Sequence, residues 1–406
     1  MRQRTVLLLS ICLCAARLSV HAQEFKLFDR AVQVHGWLSQ GFAYSNDNNY
    51  LTMNTTSGSG AFTDAGVNMS TPITDHLRIG AQGYVRNIGQ LGGGHPELDW
   101  AYGDYRFNGW FGVRAGKIKT ALGLYGDTQD AEFLHTWAIL PQSTYPLDLR
   151  TATLAHTGVD VYGHVSLRRG GELNYTGYYG IRSFDEHGGI YYFSADQGIP
   201  IDRDSGHVEG GDVRWTTPLR DLMVGVSGLN LTEDREGHWA DCLKCAFSMP
   251  GAAYKLVPDP DYIISVYGDY QRGPWHLNGE FRREYSPLKI TSPAFPGAFI
   301  FRGETSKSWF LSAAYRVSKR LEIGTYHARF LVEYPDVPTD PYANHVYDQT
   351  VTARFDINHW WNVKVEGHFI DGYGDVYSAH GFYTRSNLDG LKPKTNMLVL
   401  RSGVNF

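Results

Sequence analysis

Charged residues that could act on a solute are concentrated in one stretch of the chain, residues 119–154. They follow no strand-like spacing and are Lys119, Asp127, Asp130, Glu132, His135, Asp148 and Arg150. Large apolar residues stand among them, namely Leu124, Phe133, Leu134, Trp137 and Leu140. The stretch is far longer than a usual connection, and a purely solvated loop would not need such apolar residues. It is therefore predicted to be a loop folded against a wall, with charges free to set a local field.

Catalytic motifs are missing around these charges. The chain has no GxSxG, no HExxH, no phosphate-binding glycine loop and no His-Asp-Ser spacing. We therefore expect no enzyme activity, no cofactor and no metal site. Two further loop acids, Asp259 and Asp261, leave calcium binding open as an alternative to an ordinary loop.

The first 22 residues predict a signal peptide. Arg2 and Arg4 form its charged end, residues 6–16 form an apolar run too short to span a bilayer, and Val20-His21-Ala22 forms a small-residue cleavage site. Removal takes away three of the 37 basic residues and none of the 42 acidic ones, so the net charge changes from −5 to about −8. A negative mature chain argues against a nucleic-acid partner.

Export also bears on Cys242 and Cys245, the two cysteines that remain in the mature chain. In an oxidising compartment they are expected to form a disulfide that pins a loop. One alternative is a metal site with His238 and Asp241, although one CxxC supplies only half of a tetrahedral ligand set. The other is a redox-active pair, although the βαβ context of such pairs is absent.

The elements that must position these residues show a period of two. Polar and apolar residues alternate cleanly in residues 361–369 and 395–406, and no segment of the mature chain is apolar over the length of a membrane-spanning helix. Sixteen such segments of about ten residues are predicted. They lie near 31–45, 61–70, 77–87, 97–107, 110–118, 155–165, 171–181, 206–216, 221–231, 260–270, 274–285, 307–317, 321–331, 345–356, 360–370 and 394–406.

Short turns and long loops alternate between these segments. An even number of strands with short turns at one end and long loops at the other is the plan of a transmembrane antiparallel β-barrel, so the chain is predicted to be all-β. Aromatic residues at strand ends beside the short turns fit a girdle at the bilayer interface, with turn-flanking core aromatics as the alternative. They are Tyr105, Phe107, Trp110, Trp215, Tyr270, Trp275, Tyr315, Phe355, Trp360 and Trp361.

The sixteen strands, the long third loop, the terminal Phe406 and the run Val113-Arg114-Ala115-Gly116-Lys117-Ile118-Lys119 together resemble the Gram-negative outer-membrane porins. The resemblance implies a domain at residues 23–406 in contact with outer-membrane lipid, a third loop folded into the lumen, and association into a homotrimer. It also implies that Phe406 is part of an assembly signal. The dense acidic loop and arginine ladder of the general porins are not matched, so neither the subfamily nor an ion preference carries over.

Alternation also predicts which side chains face the lumen. A charged side chain that faces lipid costs about 2–4 kcal/mol, so charged residues of the strands are expected to face a water-filled interior. The predicted lumen residues include Arg106, Arg282, Arg354, Lys364, Glu366 and Arg401. Arg78, Arg86 and Arg114 are predicted to form a basic wall opposite Asp127, Asp130, Glu132 and Arg150 of the loop. The alternative is that each of these three arginines neutralises a neighbouring carboxylate.

A lumen lined by both signs of charge favours a passive channel for small hydrophilic solutes and ions. A channel selective for a specific anion or sugar is the alternative, and an outer-membrane enzyme or an adhesive or structural barrel is less favoured. An energised receptor would need a plug domain, for which residues 23–30 are too few.

Overall fold

A computed structural model describes residues 23–27, 30–148, 150–196, 198–241, 249–257, 261–294, 298–333, 341–373 and 391–406. The predicted signal peptide and the pair Cys242 and Cys245 lie outside these residues. No helix in the described part of the chain is long and apolar enough to cross a membrane.

Strands dominate the described chain. In chain order they are β1 (Gln23–Leu27), β2 (Arg30–Ser45), β3 (Ser59–Pro72), β4 (Leu77–Ile88), β5 (Pro96–Arg106), β6 (Gly112–Lys119), β7 (Ala155–Ser166), β8 (Glu172–Arg182), β9 (Ile201–Ser205), β10 (His207–Thr216), β11 (Leu222–Leu231), β12 (Asp234–His238), β13 (Ala253–Val257), β14 (Asp261–Arg272), β15 (Trp275–Thr291), β16 (Ala298–Arg316), β17 (Leu321–Glu333), β18 (His345–Asn358), β19 (Trp361–Asp371) and β20 (Lys394–Asn405). The helical segments are short: Thr55–Ser57, Glu132–Leu134, Arg150–Thr153, Arg168–Gly170, Gly189–Asp196 and Pro341–Asn344.

Sixteen of these strands form a closed antiparallel barrel. The ring closes because β2 pairs with β3 on one side and with β20 on the other, and every other ring strand pairs with two neighbours. β1, β9, β12 and β13 lie outside the ring. Each of the sixteen predicted segments coincides with a ring strand, so the predicted fold class is confirmed.

Alternation along β19 shows why these sequences form a barrel wall. Lys364 and Glu366 point inward and are 0% exposed, whereas Val365 and Phe369 point outward and are 39% and 54% exposed. A strand with one wet and one lipid-facing side needs this period of two. Large apolar side chains are exposed in the same way on the outer face of most ring strands. The result is the surface of a barrel integral to a lipid bilayer.

A small sheet beyond one rim of the barrel was not predicted. β12 pairs with β9 and β13, and β13 continues onto the end of β15, which runs six residues past its predicted limit to Thr291. Its core is formed by Trp239, Tyr254, Leu256 and Ile290. These strands have about five residues each, too few for a clear alternation signal.

The interior beside the long loops is partly apolar, although alternation predicts a polar lumen. Tyr50, Leu51 and Met53 of the first loop are buried there. They share a cluster with Ala138 and Ile139 of the third loop and with wall side chains such as Phe62, Phe330, Val346 and Val399. Two loops therefore fill part of the barrel near the rim opposite the short turns.

Candidate pore constriction

The third loop leaves the barrel wall immediately after β6. Thr120 N–H still donates to Leu154 O at 2.9 Å, and Gly123 N–H then donates to Ser227 Oγ on β11 at 2.8 Å. Gly123 has a φ of +74°, and a Cβ there would lie 2.4 Å from Glu280 Oε1 and 2.6 Å from Tyr145 Oη. Only glycine allows this close approach to the wall. The loop therefore turns into the lumen at Gly123, as the sequence predicted.

Glu280 of β15 fixes one side of the loop. Its carboxylate accepts the Leu124 N–H at 2.9 Å and the hydroxyl hydrogen of Tyr145. Tyr145 Oη in turn accepts the Tyr125 N–H at 2.9 Å, and Arg282 Nη1 donates to Thr144 O at 2.7 Å. Two separate parts of the loop are thus attached to one strand of the wall.

Lys364 and Glu366 fix the loop to β19, which is four strands further round the wall from β15. Lys364 Nζ donates to Glu132 O at 2.8 Å and to Trp137 O at 3.0 Å, and it pairs with the Glu132 carboxylate. Glu366 accepts the N–H groups of Ala138 and Ile139 at 2.9 and 3.0 Å. Buried charges of the wall therefore satisfy loop backbone groups that would otherwise be unpaired away from water.

Arginines on neighbouring strands extend this attachment. Arg401 Nη1 on β20 donates to Ala138 O, and Arg354 Nη1 on β18 donates to His135 O, both at 2.7 Å. Trp137 also packs edge-on against Tyr326 of β17, with ring centroids 5.1 Å apart. Four successive wall strands hold this part of the loop.

A third attachment joins the loop to β4, β5 and β6. Lys119 pairs with Asp130 at 2.5 Å, and Gln82 Nε2 donates to Asp130 at 2.7 Å and to Asp99 at 2.6 Å. Arg150 Nη2 pairs with Asp99 at 2.8 Å, and its guanidinium lies 4.1 Å from the ring centroid of Tyr84. The loop thus touches the wall on opposite sides and crosses the lumen.

These surroundings shift the pKa values of three loop residues. Burial tends to raise the pKa of Asp130, but the charges of Lys119 and Arg150 outweigh it and lower that pKa to about 2. For Glu132 burial is likewise outweighed, mainly by Lys364, and its pKa is lowered. Burial lowers the pKa of His135 to about 4. At neutral pH the loop therefore carries two ionised buried acids and one neutral histidine.

The predicted loop charges have unequal environments. Asp130, Glu132 and Arg150 are buried in the attachments described above, whereas the side chain of Asp127 is 53% exposed and pairs with Arg214 at 3.2 Å. Trp137 and Leu140 pack on the wall, and Phe133 contacts Trp37 with centroids 6.0 Å apart. Leu134, predicted to pack on the wall, is 55% exposed instead.

Arg78, Arg86 and Arg114, predicted to form a basic wall opposite the loop acids, have other partners. Arg86 pairs with Asp185, Arg114 with Asp104 at 3.3 Å, and Arg78 donates to Gln33. The loop acids meet Lys119, Lys364 and Arg214 instead. Arg86 and Arg114 therefore follow the alternative given above, in which each arginine neutralises a neighbouring carboxylate.

The other predicted site residues are placed as follows. Arg282, Arg354, Lys364, Glu366 and Arg401 are inward and contact the loop, whereas the side chain of Arg106 is exposed at the short-turn end of β5.

Phe406 continues the ladder, because Gly36 and Phe406 exchange N–H to O hydrogen bonds of 2.9 and 3.1 Å.

Sequence reasoning missed Asp99 because of a β-bulge. Gln82 pairs with Trp100 and Gly83 with Leu98, which leaves Asp99 as the extra residue of β5. A bulge reverses the in-and-out order beyond it, so counting back from Asp104 places Asp99 on the wrong face. Tyr145 was missed as well, since it lies in a loop without any periodic signal.

The fold and the loop together define a class of protein. A closed sixteen-stranded barrel with an apolar exterior, a charged interior and a loop across its lumen has the architecture of outer-membrane channels.

Comparison with solved structures agrees with this assignment. The chain is similar to outer-membrane-expressed OmpT of Vibrio cholerae at a TM-score of 0.57, with 12% identity over 95% of this chain and 100% of that one. It is similar to the outer membrane channel DcaP of Acinetobacter baumannii at a TM-score of 0.55, with 12% identity and the same coverage. It is also similar to an anion-selective porin from Comamonas acidovorans at a TM-score of 0.52, with 12% identity over 93% of this chain and 100% of that one. No family model and no curated protein sequence matches. The chain therefore has the porin fold.

Proposed function

We propose that this chain forms a water-filled channel in the outer membrane of a Gram-negative bacterium, through which small hydrophilic solutes and ions diffuse passively. The observation that carries the proposal is the third loop, which Glu280 fixes to β15 and which Gln82, through Asp130, fixes to β4 on the opposite side of the ring. A loop held in this way narrows the lumen, so the space beside it sets the size limit. We prefer a channel to an enzyme because the attachments of the loop are structural ion pairs and hydrogen bonds to loop backbone groups.

We also propose that the leader of 22 residues is removed, that three barrels associate, and that the terminal Phe406 contributes to assembly. One solved structure of Vibrio cholerae OmpT is described as a trimer form, which supports the second point for a barrel of this fold. Deletion of Phe406 should lower the yield of heat-resistant barrel while export continues. A normal yield of folded barrel would remove Phe406 from the proposal.

The channel is tested with the purified protein in planar bilayers and in liposomes. We expect stable conductance steps, swelling of liposomes in small sugars, and slower swelling as the sugar becomes larger. Liposomes prepared with heat-unfolded protein are the control, and three equal closing steps would support the trimer. A folded barrel that neither conducts nor permits swelling would contradict the proposal.

A further inference from the structure

A cavity of about 200 Å³ lies between the third loop and the inner faces of β14 to β17. On the wall side it is lined by two adjacent rows of side chains that cross β15, β16 and β17. The rows are Glu284, Ser306 and Val332, and Arg282, Ser308 and Phe330. A dry cavity of about 150 Å³ already admits a benzene ring, so this cavity has room for one small organic molecule.

The arginines at and around this cavity each have an acid of their own. The pairs are Arg282 with Glu280 at 3.1 Å, Arg150 with Asp99 at 2.8 Å, Arg235 with Asp204 at 3.4 Å, and Arg182 with Glu233. Two carboxylates of the same region, Glu284 and Asp261, have no cationic partner among the described residues. The uncompensated charge beside the cavity is therefore negative, which favours a cation.

Two polar side chains of the lining are free to meet a molecule in the cavity. Glu284 is half-buried, and no described residue forms a hydrogen bond or an ion pair with its carboxylate. Ser308 is 4% exposed, and no described residue bonds to its hydroxyl. Buried polar groups normally have a partner, so the contents of the cavity are expected to supply one. A carboxylate and a hydroxyl oxygen both accept hydrogen bonds, which an ammonium group donates.

The rest of the lining is largely apolar and lies a fixed distance from Glu284. Its apolar members are Leu122, Ile263, Phe330 and Val332. Neighbouring strands are about 4.8 Å apart, so Glu284 and Val332, which are two strands apart in one row, are separated by about 10 Å. A molecule with its charged end at Glu284 would therefore place a carbon body of about one ring over Val332 and Phe330.

We propose that this cavity binds a small organic ammonium ion with an apolar body of about one ring. The proposal rests on the proposed channel, for which it names a class of solute. The ammonium group donates to the Glu284 carboxylate and to the Ser308 hydroxyl. The carbon body lies against Phe330 and Val332.

Equilibrium dialysis of the detergent-solubilised barrel with radiolabelled benzylamine tests the site directly, with detergent alone as the blank. Benzylamine is an ammonium ion at neutral pH, whereas benzyl alcohol has the same shape and no charge. We expect saturable binding of benzylamine and about tenfold weaker binding of benzyl alcohol, which lacks the charge-assisted contact. Glu284→Gln should weaken benzylamine binding about tenfold for the same reason and should leave benzyl alcohol binding unchanged.

Glu333→Gln is the matched control. It makes the same change of charge next to the lining residue Val332, but Glu333 pairs with Lys307 outside the cavity. It should leave benzylamine binding unchanged. Equal weakening by the two variants would assign binding to the net charge of the barrel and would overturn the site.

Equal binding of benzylamine and benzyl alcohol would also overturn the site, and this comparison decides if Glu284→Gln fails to fold. A barrel that conducts without binding benzylamine would overturn the site alone. A barrel that binds benzylamine without conducting would overturn the channel.

Discussion

The two sides of the third loop are attached in different ways. Beside β19 and β20, the buried side chains of Lys364 and Arg401 donate to loop carbonyls, and that of Glu366 accepts from loop N–H groups. Beside β15, Glu280 holds the loop in a similar way, but its neighbour Arg282 retains an unused donor and borders a cavity. The first side is a closed anchor, whereas the second side borders a cavity of about 200 Å³.

Because of this difference, we expect the removal of one charge to have different consequences at different attachments of the loop. A buried charge that has lost its partner is costly, so a change at the anchor should release the loop. A change in a partly exposed pair, such as Asp127 with Arg214, should instead leave the loop in place. The predictions that follow test this contrast.

The largest effect is expected from Lys364→Met. It leaves Glu132 buried without its cation and two loop carbonyls without their donor, a loss of about 3–5 kcal/mol for the attachment. The loop should become open to proteolysis within residues 126–147, and conductance should rise. Limited proteolysis followed by mass spectrometry measures the first effect, and single-channel recording measures the second.

The matched control for that change is the double variant Lys364→Met/Glu132→Leu, which removes both charges together. Replacement of a whole buried pair by apolar residues is often neutral, so this variant should resist proteolysis better than the single one. Equal release of the loop in the two variants would show that the ion pair is not what anchors it.

A smaller effect is expected from Glu366→Gln. The amide oxygen can still accept one of the N–H groups of Ala138 and Ile139, but the charge is lost, which costs about 1–2 kcal/mol. Open-channel noise should increase and mean conductance should change little. Current traces as quiet as those of the unchanged protein would argue against a role of Glu366 in holding the loop.

A pH effect is expected from His135, which donates Nε2–H to Thr128 O and lies close to Lys364 and Arg354. Its folded pKa of about 4 is below the ordinary value of 6.5, so its stabilising contribution is present above pH 6.5 and is lost as the pH falls toward 4. Asp130, with a pKa of about 2, stays ionised over that window. Channel noise should therefore grow between pH 6.5 and 4.

The control for the pH effect is His135→Gln, which keeps a donor for Thr128 O and cannot become charged in this window. Its noise should vary less with pH than that of the unchanged protein. The same pH response in both proteins would assign the effect to other groups.

The smallest effect is expected from Asp127→Asn. Asp127 and Arg214 form a partly exposed pair, worth at most about 1 kcal/mol, so the loop should stay in place. One negative charge less beside the opening should shift the reversal potential in a salt gradient slightly toward anions. A shift toward cations would contradict the placement of Asp127 beside the ion path.

Sequence reasoning found the barrel because the environment imposes a period of two on every ring strand, as Lys364 and Val365 illustrate. Length and apolar content predicted a loop folded against a wall, and the resemblance to porins implied that this wall is the inside of the barrel. Sequence reasoning could not find the partners of Asp130 and Glu132, because these depend on which wall the loop crosses to. The bulge at Asp99 shows the same limit, since one inserted residue reverses the predicted faces. Cys242 and Cys245 lie outside the described residues, so their disulfide stays a prediction.

The central claim is that the third loop limits permeation, and removal of residues 126–147 with a short glycine-serine linker in their place tests it most directly. The barrel wall is untouched by this change, because β6 ends at Lys119 and β7 begins at Ala155. The account predicts that the folded variant conducts several times more current and admits larger sugars into liposomes, because a sixteen-stranded barrel is wide enough for an open channel. A folded variant with unchanged conductance and an unchanged sugar size limit would contradict it.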